Sequence, residues 1–272
     1  MVMERFDPQR HLYEYHRDSM AEAACWHASN DACPAHFHSS LEIVYVRRGC
    51  LEAQLDGQPL QAPAEHLLLV SGYTVHAYQS PCPNEDTLLI IPTGFVPSMQ
   101  KLLMNSAFSA PLCDLRRAPL LRSVADMIAE GWEQCGTEAR RGLCNTLLGL
   151  LAEQVGLTPI SADAPRGLLR EALIYLQNNY QQSLPMAELA RRFGYSKSRF
   201  SHLFNERLGC SPGAFVSALR CQHAARKMLT GTQPLLEIAL EAGFECPRTF
   251  YRAFKQYYGL TPTQYIRTHG AG

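Results

Sequence analysis

Residues 186–204, MAELARRFGYSKSRFSHLF, and residues 235–254, LLEIALEAGFECPRTFYRAF, state one pattern twice. Laid over each other, Ala190 matches Ala239, Gly194 matches Gly243, Phe200 matches Phe250 and Phe204 matches Phe254. Beyond them Gly209 matches Gly259 and Pro212 matches Pro262, and the second copy has one extra residue in its turn. Each copy reads as a short helix, a glycine-containing turn and a second helix, so the chain holds a duplicated helix-turn-helix unit. A generic helical bundle with a solvated face gives no reason for the unit to recur with its glycines in place.

The chemistry of each position follows. Gly194 and Gly243 stand just past a helix C-terminus, where a left-handed backbone suits glycine. The Ser196 hydroxyl can cap the helix that follows. Phe200, Leu203 and Phe204, like Phe250, Ala253 and Phe254, fall at i, i+3, i+4 and face a core. The polar faces left over are Lys197, Ser198, Arg199, Ser201, His202 and Asn205 in the first copy, and Arg248, Thr249, Tyr251, Arg252 and Lys255 in the second. A major groove admits a helix, and such side chains can read base edges there, which makes these the candidate DNA-binding residues.

Working outward, Leu168, Leu169, Ala172, Leu173 and Leu176 recur at helical spacing up to Asn178-Asn179, and Pro185 opens the next helix. Residues 214–229, AFVSALRCQHAARKML, form a helix without Gly or Pro, long enough to hold the two units about one DNA turn apart. The segment GLTPISADAPRG, 156–167, lacks hydrophobic periodicity and is the best linker. The expected organisation is a domain over 1–155, a linker over 156–166 and an all-α domain over 167–272.

The whole chain of 272 residues carries 25 Lys+Arg and 25 Asp+Glu, a net charge of zero that argues against a nucleic-acid partner. Division at the linker reverses that inference. Residues 166–272 hold 14 Lys+Arg and 6 Asp+Glu, whereas residues 1–165 hold 11 and 19. A basic half joined to an acidic half points to nucleic acid or an acidic surface. No run of about 18 apolar residues offers a membrane span, and the charged start MVMERFDPQRH lacks the apolar stretch of a signal peptide, so a cytoplasmic location is expected. The ten cysteines contain no CxxC pair and are expected to be buried small hydrophobes.

The stretch from Arg170 to Thr268 resembles the DNA-binding domain of the AraC/XylS family of transcriptional regulators. The match includes KMLTG at 227–231, IALEAGF at 238–244, FYRAFKQYYG at 250–259 and LTPTQY at 260–265. The resemblance implies two recognition helices entering successive major grooves. It places Ser198, Ser201 and His202 at base-facing positions of the first helix and Arg248, Thr249 and Arg252 in the second. His202 fills the slot that Arg252 fills in the other copy.

In the first half, LEIVYVRRGCLEAQLDGQPL, 41–60, shows two β-rich runs separated at Arg48-Gly49, then a hairpin turn at Asp56-Gly57. HLLLV (66–70), VHAY (75–78) and TLLIIP (87–92) continue as short strands, which suggests a small barrel or sandwich. After Pro97 the pattern turns helical, with amphipathic segments over 120–132 and 138–155. Leu143, Leu147, Leu150 and Leu151 either pack on the barrel or form a dimerisation surface. The expected fold class is α+β in two domains: an N-terminal cupin-like β-barrel with a helical dimerisation segment, then an all-α domain with two helix-turn-helix motifs.

Within HFHSSLE, His36, His38 and Glu42 share a face if the segment is one extended strand, and His76 on a later strand can join them. Two histidines and a carboxylate with an open position suit Fe(II), Ni(II) or Zn(II). With Gly49 seven residues past Glu42, the stretch resembles the first motif of the cupin barrel. The second motif departs from the pattern, with Ser71-Gly72-Tyr73 for its Pro-x-Gly and Ser80 for its Asn. The four residues line an effector pocket, hold a divalent metal, or catalyse. His11, His16, His27 and His66 are expected in surface or structural roles.

Together these point to a cytoplasmic, non-enzymatic AraC-type regulator of promoter DNA, controlled by a small-molecule effector such as a sugar or other metabolite. A homodimer is expected, no cofactor is required, and RNA polymerase is a further partner. The alternative is a metal-dependent cupin sensor, or a cupin enzyme, with an attached DNA-binding module.

Overall fold

Strand β3, Leu41–Arg48, is buried on both faces from Leu41 to Val46, and that double burial organises the N-terminal unit. Its residues alternate between two cores, as a period of two requires. Ile43 and Tyr45 pack with Leu67, Leu69, Leu89 and Ile91. Val44 and Val46 pack with Leu68, Val70 and Leu88 on the other side. The computed structural model describes residues 13, 14, 17, 20–30, 32–160, 165–231 and 233–269, and divides the chain into units 1–160 and 161–272.

Around β3 the first unit places β1 (Ala24–Ser29), β2 (Cys33–His36), β4 (Cys50–Leu55), β5 (Gln58–Pro63), β6 (His66–Val70), β7 (His76–Gln79) and β8 (Glu85–Ile91). Helix α1 (Pro97–Asn105), β9 (Ser106–Phe108), β10 (Leu112–Asp114), α2 (Pro119–Gly131), α3 (Thr137–Val155) and β11 (Leu157–Pro159) complete it. One antiparallel sheet runs β1-β8-β3-β6-β10 and the other β2-β7-β4-β5. Leu51, Ala53, Ala62 and Tyr78 of the four-stranded sheet close over Val44, Val46 and Leu68, so the barrel interior lies between the sheets. The β4–β5 turn has Asp56 at φ +49° and Gly57 at φ +77°, the left-handed pair that a two-residue hairpin needs.

The outer face of the five-stranded sheet is covered by α2 and α3 through Leu121, Val124, Ile128, Leu147, Leu148 and Leu151. Each such side chain contributes about 1.5–3 kcal/mol by leaving water. Leu147 and Leu151 are in this core, and Leu143 and Leu150 pack against it half-buried. The polar bond from Tyr45 Oη to Asp126 Oδ1, 3.1 Å, ties β3 to α2.

Three expectations need correction. Strands β1, β2, β9 and β10 lie where the sequence suggested none; they are short, and β9 and β10 interrupt a stretch read as helical. The linker expected over 156–166 begins inside the first unit, because Leu157–Pro159 pairs with Ser106–Phe108 and helix α4 (Pro165–Asn179) already starts within it. Only Cys113, Cys144 and Cys221 of the ten cysteines are buried; all ten are free thiols.

The second unit continues with α5 (Met186–Arg192), α6 (Lys197–Leu208), α7 (Pro212–Thr230), α8 (Leu235–Glu241), α9 (Pro247–Tyr258) and α10 (Pro262–His269). Leu169, Ala172, Leu173 and Leu176 of α4 are buried, as their spacing requires. Near the start of α7, Phe215 meets the ring of Phe204 in α6, with centroids 6.3 Å apart. Further along, Cys221, Ala224, Ala225 and Met228 join Ile238, Phe250 and Phe254 in one core. Helix α7 therefore belongs to both helix-turn-helix units. No helix among the described residues is long and apolar enough to cross a membrane.

Candidate functional site

The barrel interior gathers His36, His38, Glu42 and His76, each 1–3% exposed, with one ligating atom from each within 4.8 Å of the others. They are not on one strand. His36 closes β2, His38 precedes the bend at Ser39-Ser40, and Glu42 is in β3 on the inward face shared with Val44 and Val46. His76 opens β7 directly opposite His36 in the antiparallel register, with ring centroids 4.1 Å apart. His27 and His66 stay outside this cluster, bonding Thr87 Oγ1 at 3.0 Å and the Ala64 carbonyl at 3.1 Å, whereas His11 and His16 lie outside the described residues.

Backbone carbonyls orient all three rings. Nδ1 of His36 lies 2.9 Å from Pro34 O, Nδ1 of His38 3.1 Å from Ser40 O, and Nδ1 of His76 2.9 Å from Thr74 O. A carbonyl oxygen only accepts, so each Nδ1 carries a proton and each Nε2 is left for the interior. Tyr78 Oη donates to Glu42 Oε1 at 2.8 Å, fixing the carboxylate. Glu42 Oε2 then faces Nε2 of His38 at 3.2 Å and Nε2 of His76 at 3.7 Å. The second distance is an ionic contact, too long for a hydrogen bond. Nε2 of His76 has no hydrogen-bond partner among the described residues.

The electrostatics follow from this geometry. Burial, reinforced by the neighbouring His76, pushes His36 down to about 4. Burial opposes ionisation of Glu42, but His38 and His76 outweigh it and hold the carboxyl well below the usual range. Burial would lower His76, yet the Glu42 carboxylate overrides it and raises the imidazole above its ordinary value. The cluster is thus a buried carboxylate demanding positive charge from imidazoles whose other nitrogens are already committed.

Two contributors carried no readable sequence signal. Glu14, 8% exposed, brings Oε2 to 3.6 Å from Nε2 of His36 and accepts from Arg17 Nε at 3.0 Å. It lies in a stretch without periodicity. Gly72 allows the backbone approach that seats His38: a Cβ there would stand 2.2 Å from the Ser39 carbonyl oxygen. Beside it Tyr73, at φ +65°, donates its N–H to His38 O at 2.7 Å. The departure Ser71-Gly72-Tyr73 from the second cupin motif is a working turn.

In the helical unit the two copies share the bonds of the turn and the stop of the second helix. Gly194 at φ +75° and Gly243 at φ +94° end α5 and α8. Tyr195 N–H returns to Ala190 O at 2.9 Å, and Phe244 N–H to Ala239 O at 3.0 Å. Helices α6 and α9 both stop at a left-handed glycine, Gly209 and Gly259. The copies differ at the start of these helices. Ser196 caps α6 by accepting from Arg199 N–H at 3.2 Å, whereas Cys246 stands at the equivalent place without a side-chain cap and contacts Thr249 Oγ1 at 3.2 Å.

Lys197, Ser198, Arg199, His202, Asn205, Arg248, Thr249, Tyr251, Arg252 and Lys255 are exposed, and Ser201 is half-buried. Among the described residues no carboxylate pairs with Lys197, Arg199, Arg248, Arg252 or Lys255. His202 differs, with Nε2 3.7 Å from Glu206 Oε2. The second copy therefore presents an uncompensated cationic face, and the first carries an acid beside its central histidine.

Comparison with known proteins bears on both units. The family profile described as the AraC-like ligand binding domain matches residues 21–176, more than half of the chain. The chain belongs to the AraC family. A helix-turn-helix domain profile matches residues 189–268 of this AraC-family chain. The right origin-binding protein of Escherichia coli (strain K12) is 34% identical over 102 residues, covering 38% of this chain and 35% of that protein. The virulence regulon transcriptional activator VirF of Yersinia enterocolitica is 33% identical over 90 residues, or 33% of each chain. The match thus spans about a third of the length of these curated relatives. The solved structure of ToxT from Vibrio cholerae with bound unsaturated fatty acid covers 91% of this AraC-family chain and 95% of its own, at 14% identity and TM-score 0.47.

Proposed function

We propose that the chain is a transcriptional regulator that reads promoter DNA through α6 and α9, under control of a small molecule held at His36, His38, Glu42 and His76. The observation that carries this reading is the duplication of the helix-turn-helix units, with matching turn bonds and helix stops, on the shared helix α7. At 1.5 Å rise per residue, its 19 residues span about 28 Å, close to the roughly 34 Å of one DNA turn. The excess of Lys and Arg beyond the linker supplies affinity through the phosphates, while the exposed helix faces supply base discrimination. VirF is by name a transcriptional activator, and we read this chain as non-enzymatic in the same sense. We read it as a homodimer too: Leu120 and Met127, seven residues apart on α2, are 64% and 51% exposed.

Selection from a random DNA pool by the full-length protein tests the DNA reading. Enrichment of a bipartite site with halves about one turn apart is the expected result. Equal affinity for every sequence would overturn it.

A second reading of the barrel is favoured by Nε2 of His76, which has no hydrogen bond among the described residues. Three imidazoles with Nδ1 pinned and one buried carboxylate form a donor set for a divalent transition metal. The ion would be the sensed signal or a bridge to the effector. Elemental analysis, followed by a screen for substrate turnover, separates metal sensor from cupin enzyme.

A further inference from the structure

Cys50 Sγ and Cys82 Sγ lie 3.2 Å apart, while a disulfide bond measures about 2.05 Å. Cys50 opens β4, and Cys82 sits between Pro81 and Pro83 in the loop joining β7 to β8. Neither position is free to drift. Gly49, at φ +73°, presses so closely on this loop that a Cβ would stand 2.3 Å from the Pro83 carbonyl oxygen. Asn84 exchanges two hydrogen bonds with Asn30, at 2.8 and 3.1 Å, and donates to Asp86 at 2.6 Å. The backbone thus holds two thiols face to face before any bond exists.

We propose that Cys50 and Cys82 are a reversible, oxidant-sensitive disulfide site. Cys82 is exposed and Cys50 is half-exposed, so Cys82 is the sulfur that a peroxide meets first. Its thiolate attacks one peroxide oxygen, the O–O bond breaks, and Cys82 becomes a sulfenic acid with release of water or an alcohol. The Cys50 sulfur then attacks the Cys82 sulfur, the S–O bond breaks, and water leaves with the Cys50 proton. Two thiols are oxidised by two electrons and one peroxide is reduced. A thiol reductant reverses the bond by exchange.

Burial makes several of the remaining cysteines poor competitors. Burial pushes the thiols of Cys144 and Cys221 up to about 12 and that of Cys210 up to about 11. Cys246 is exposed, and hydrogen bonds from Thr249 and the Arg248 backbone hold its thiol below the ordinary value, so it is the rival nucleophile; its Sγ faces the Thr249 hydroxyl, with no thiol facing it among the described residues. The bond has a defined mechanical effect. The Gly49-Cys50 turn leads from the five-stranded to the four-stranded sheet, and the loop at Cys82 leads back. Joining them fastens both sheets at one end of the barrel. His76 pairs with Leu55 at the far end of β4, roughly 16 Å from Cys50, so the histidine cluster is not touched directly.

The test uses full-length protein titrated with hydrogen peroxide, alkylated, and cleaved after glutamate without reduction. Cleavage after Glu42, Glu52, Glu65 and Glu85 places the two cysteines on separate peptides, 43–52 and 66–85. The expected product is these peptides linked, with mass about 2 Da below their sum, and separated again by dithiothreitol. Cys82→Ser should abolish the linked product, and Cys50→Ser should leave Cys82 trapped as a dimedone-reactive sulfenic acid. Oxidation of Cys246 with no 43–52/66–85 link would overturn the proposal, as would a link that dithiothreitol cannot undo.

Discussion

Nε2 of His38 lies 3.2 Å from Oε2 of Glu42, and both side chains are at most 3% exposed. With Nδ1 of His38 already donating to Ser40, a neutral imidazole would set two acceptors against each other. A cation held between them resolves the contact. On the metal reading, protein dialysed against excess Zn(II) or Ni(II) should retain about one ion per chain. Loss of a ligand in His76→Ala should weaken retention at least about 10–100-fold. Unchanged retention in that variant, measured by elemental analysis, would remove His76 from the site.

On the proposed DNA reading, Arg252, exposed and without an ion-pair partner among the described residues, would read a base. Arg252→Ala should cost about 1–3 kcal/mol on a selected operator and relax preference at one position. An equal loss on random DNA would reassign it to the phosphate backbone. Fluorescence anisotropy on both DNAs distinguishes the outcomes.

Lys255, one turn from Tyr251 on α9, is expected to contact phosphate instead. Lys255→Ala should weaken all sequences alike and reduce the slope of log affinity against log salt by about 1. An unaltered slope would contradict a phosphate contact.

The matched glycines should not tolerate alanine equally. At Gly194 a Cβ meets nothing within 4 Å, so the cost is the left-handed backbone alone, about 1–2 kcal/mol. At Gly243 a Cβ would stand 2.6 Å from Gln181 O and 2.7 Å from its Cα, which adds overpacking of about 1–3 kcal/mol. Denaturant unfolding of the two variants should rank Gly243→Ala as the more damaging.

His223 gives the helical unit a pH dependence. Burial, aided by Arg226, holds its pKa below the ordinary value, while Nδ1 bonds Tyr180 Oη at 2.9 Å. The folded imidazole is kept neutral, so the unfolded chain binds more protons as pH drops below 6.5. Stability from this group is present above that pH and lost as pH falls toward the depressed folded value. His223→Gln should flatten that part of the melting-temperature profile; an identical profile would exclude His223 as its source.

Most of the helical unit was legible because local rules and long-range repetition agree. Gly194, Ser196 and Phe200 each announce a backbone or packing role, and their counterparts repeat it. The barrel's central strands were legible for a similar reason, since residues 41–46 and 67–70 are buried on both faces and read as largely apolar runs. Strands β1 and β2 carry no such run, being partly exposed. The four pocket residues could be named from spacing, but not the way they meet. Their convergence depends on the bend at Ser39-Ser40 and the close approach at Gly72, which are tertiary events. Glu14 was invisible because only the fold brings it to His36.

Helix α7 has Phe215 in one reading unit and Met228 in the other, with unbroken helix between them. The two units are therefore locked in rotational phase as well as in separation. One residue inserted within α7 would swing one head by about 100° while advancing it only about 1.5 Å. One base pair added between two half-sites turns the second by about 35°. No single insertion in the rod can match that change, so on the proposed DNA reading an operator whose spacer drifts by one base pair should lose one of its two contacts. Spacer length in the DNA should be under tighter constraint than most of the bases within it.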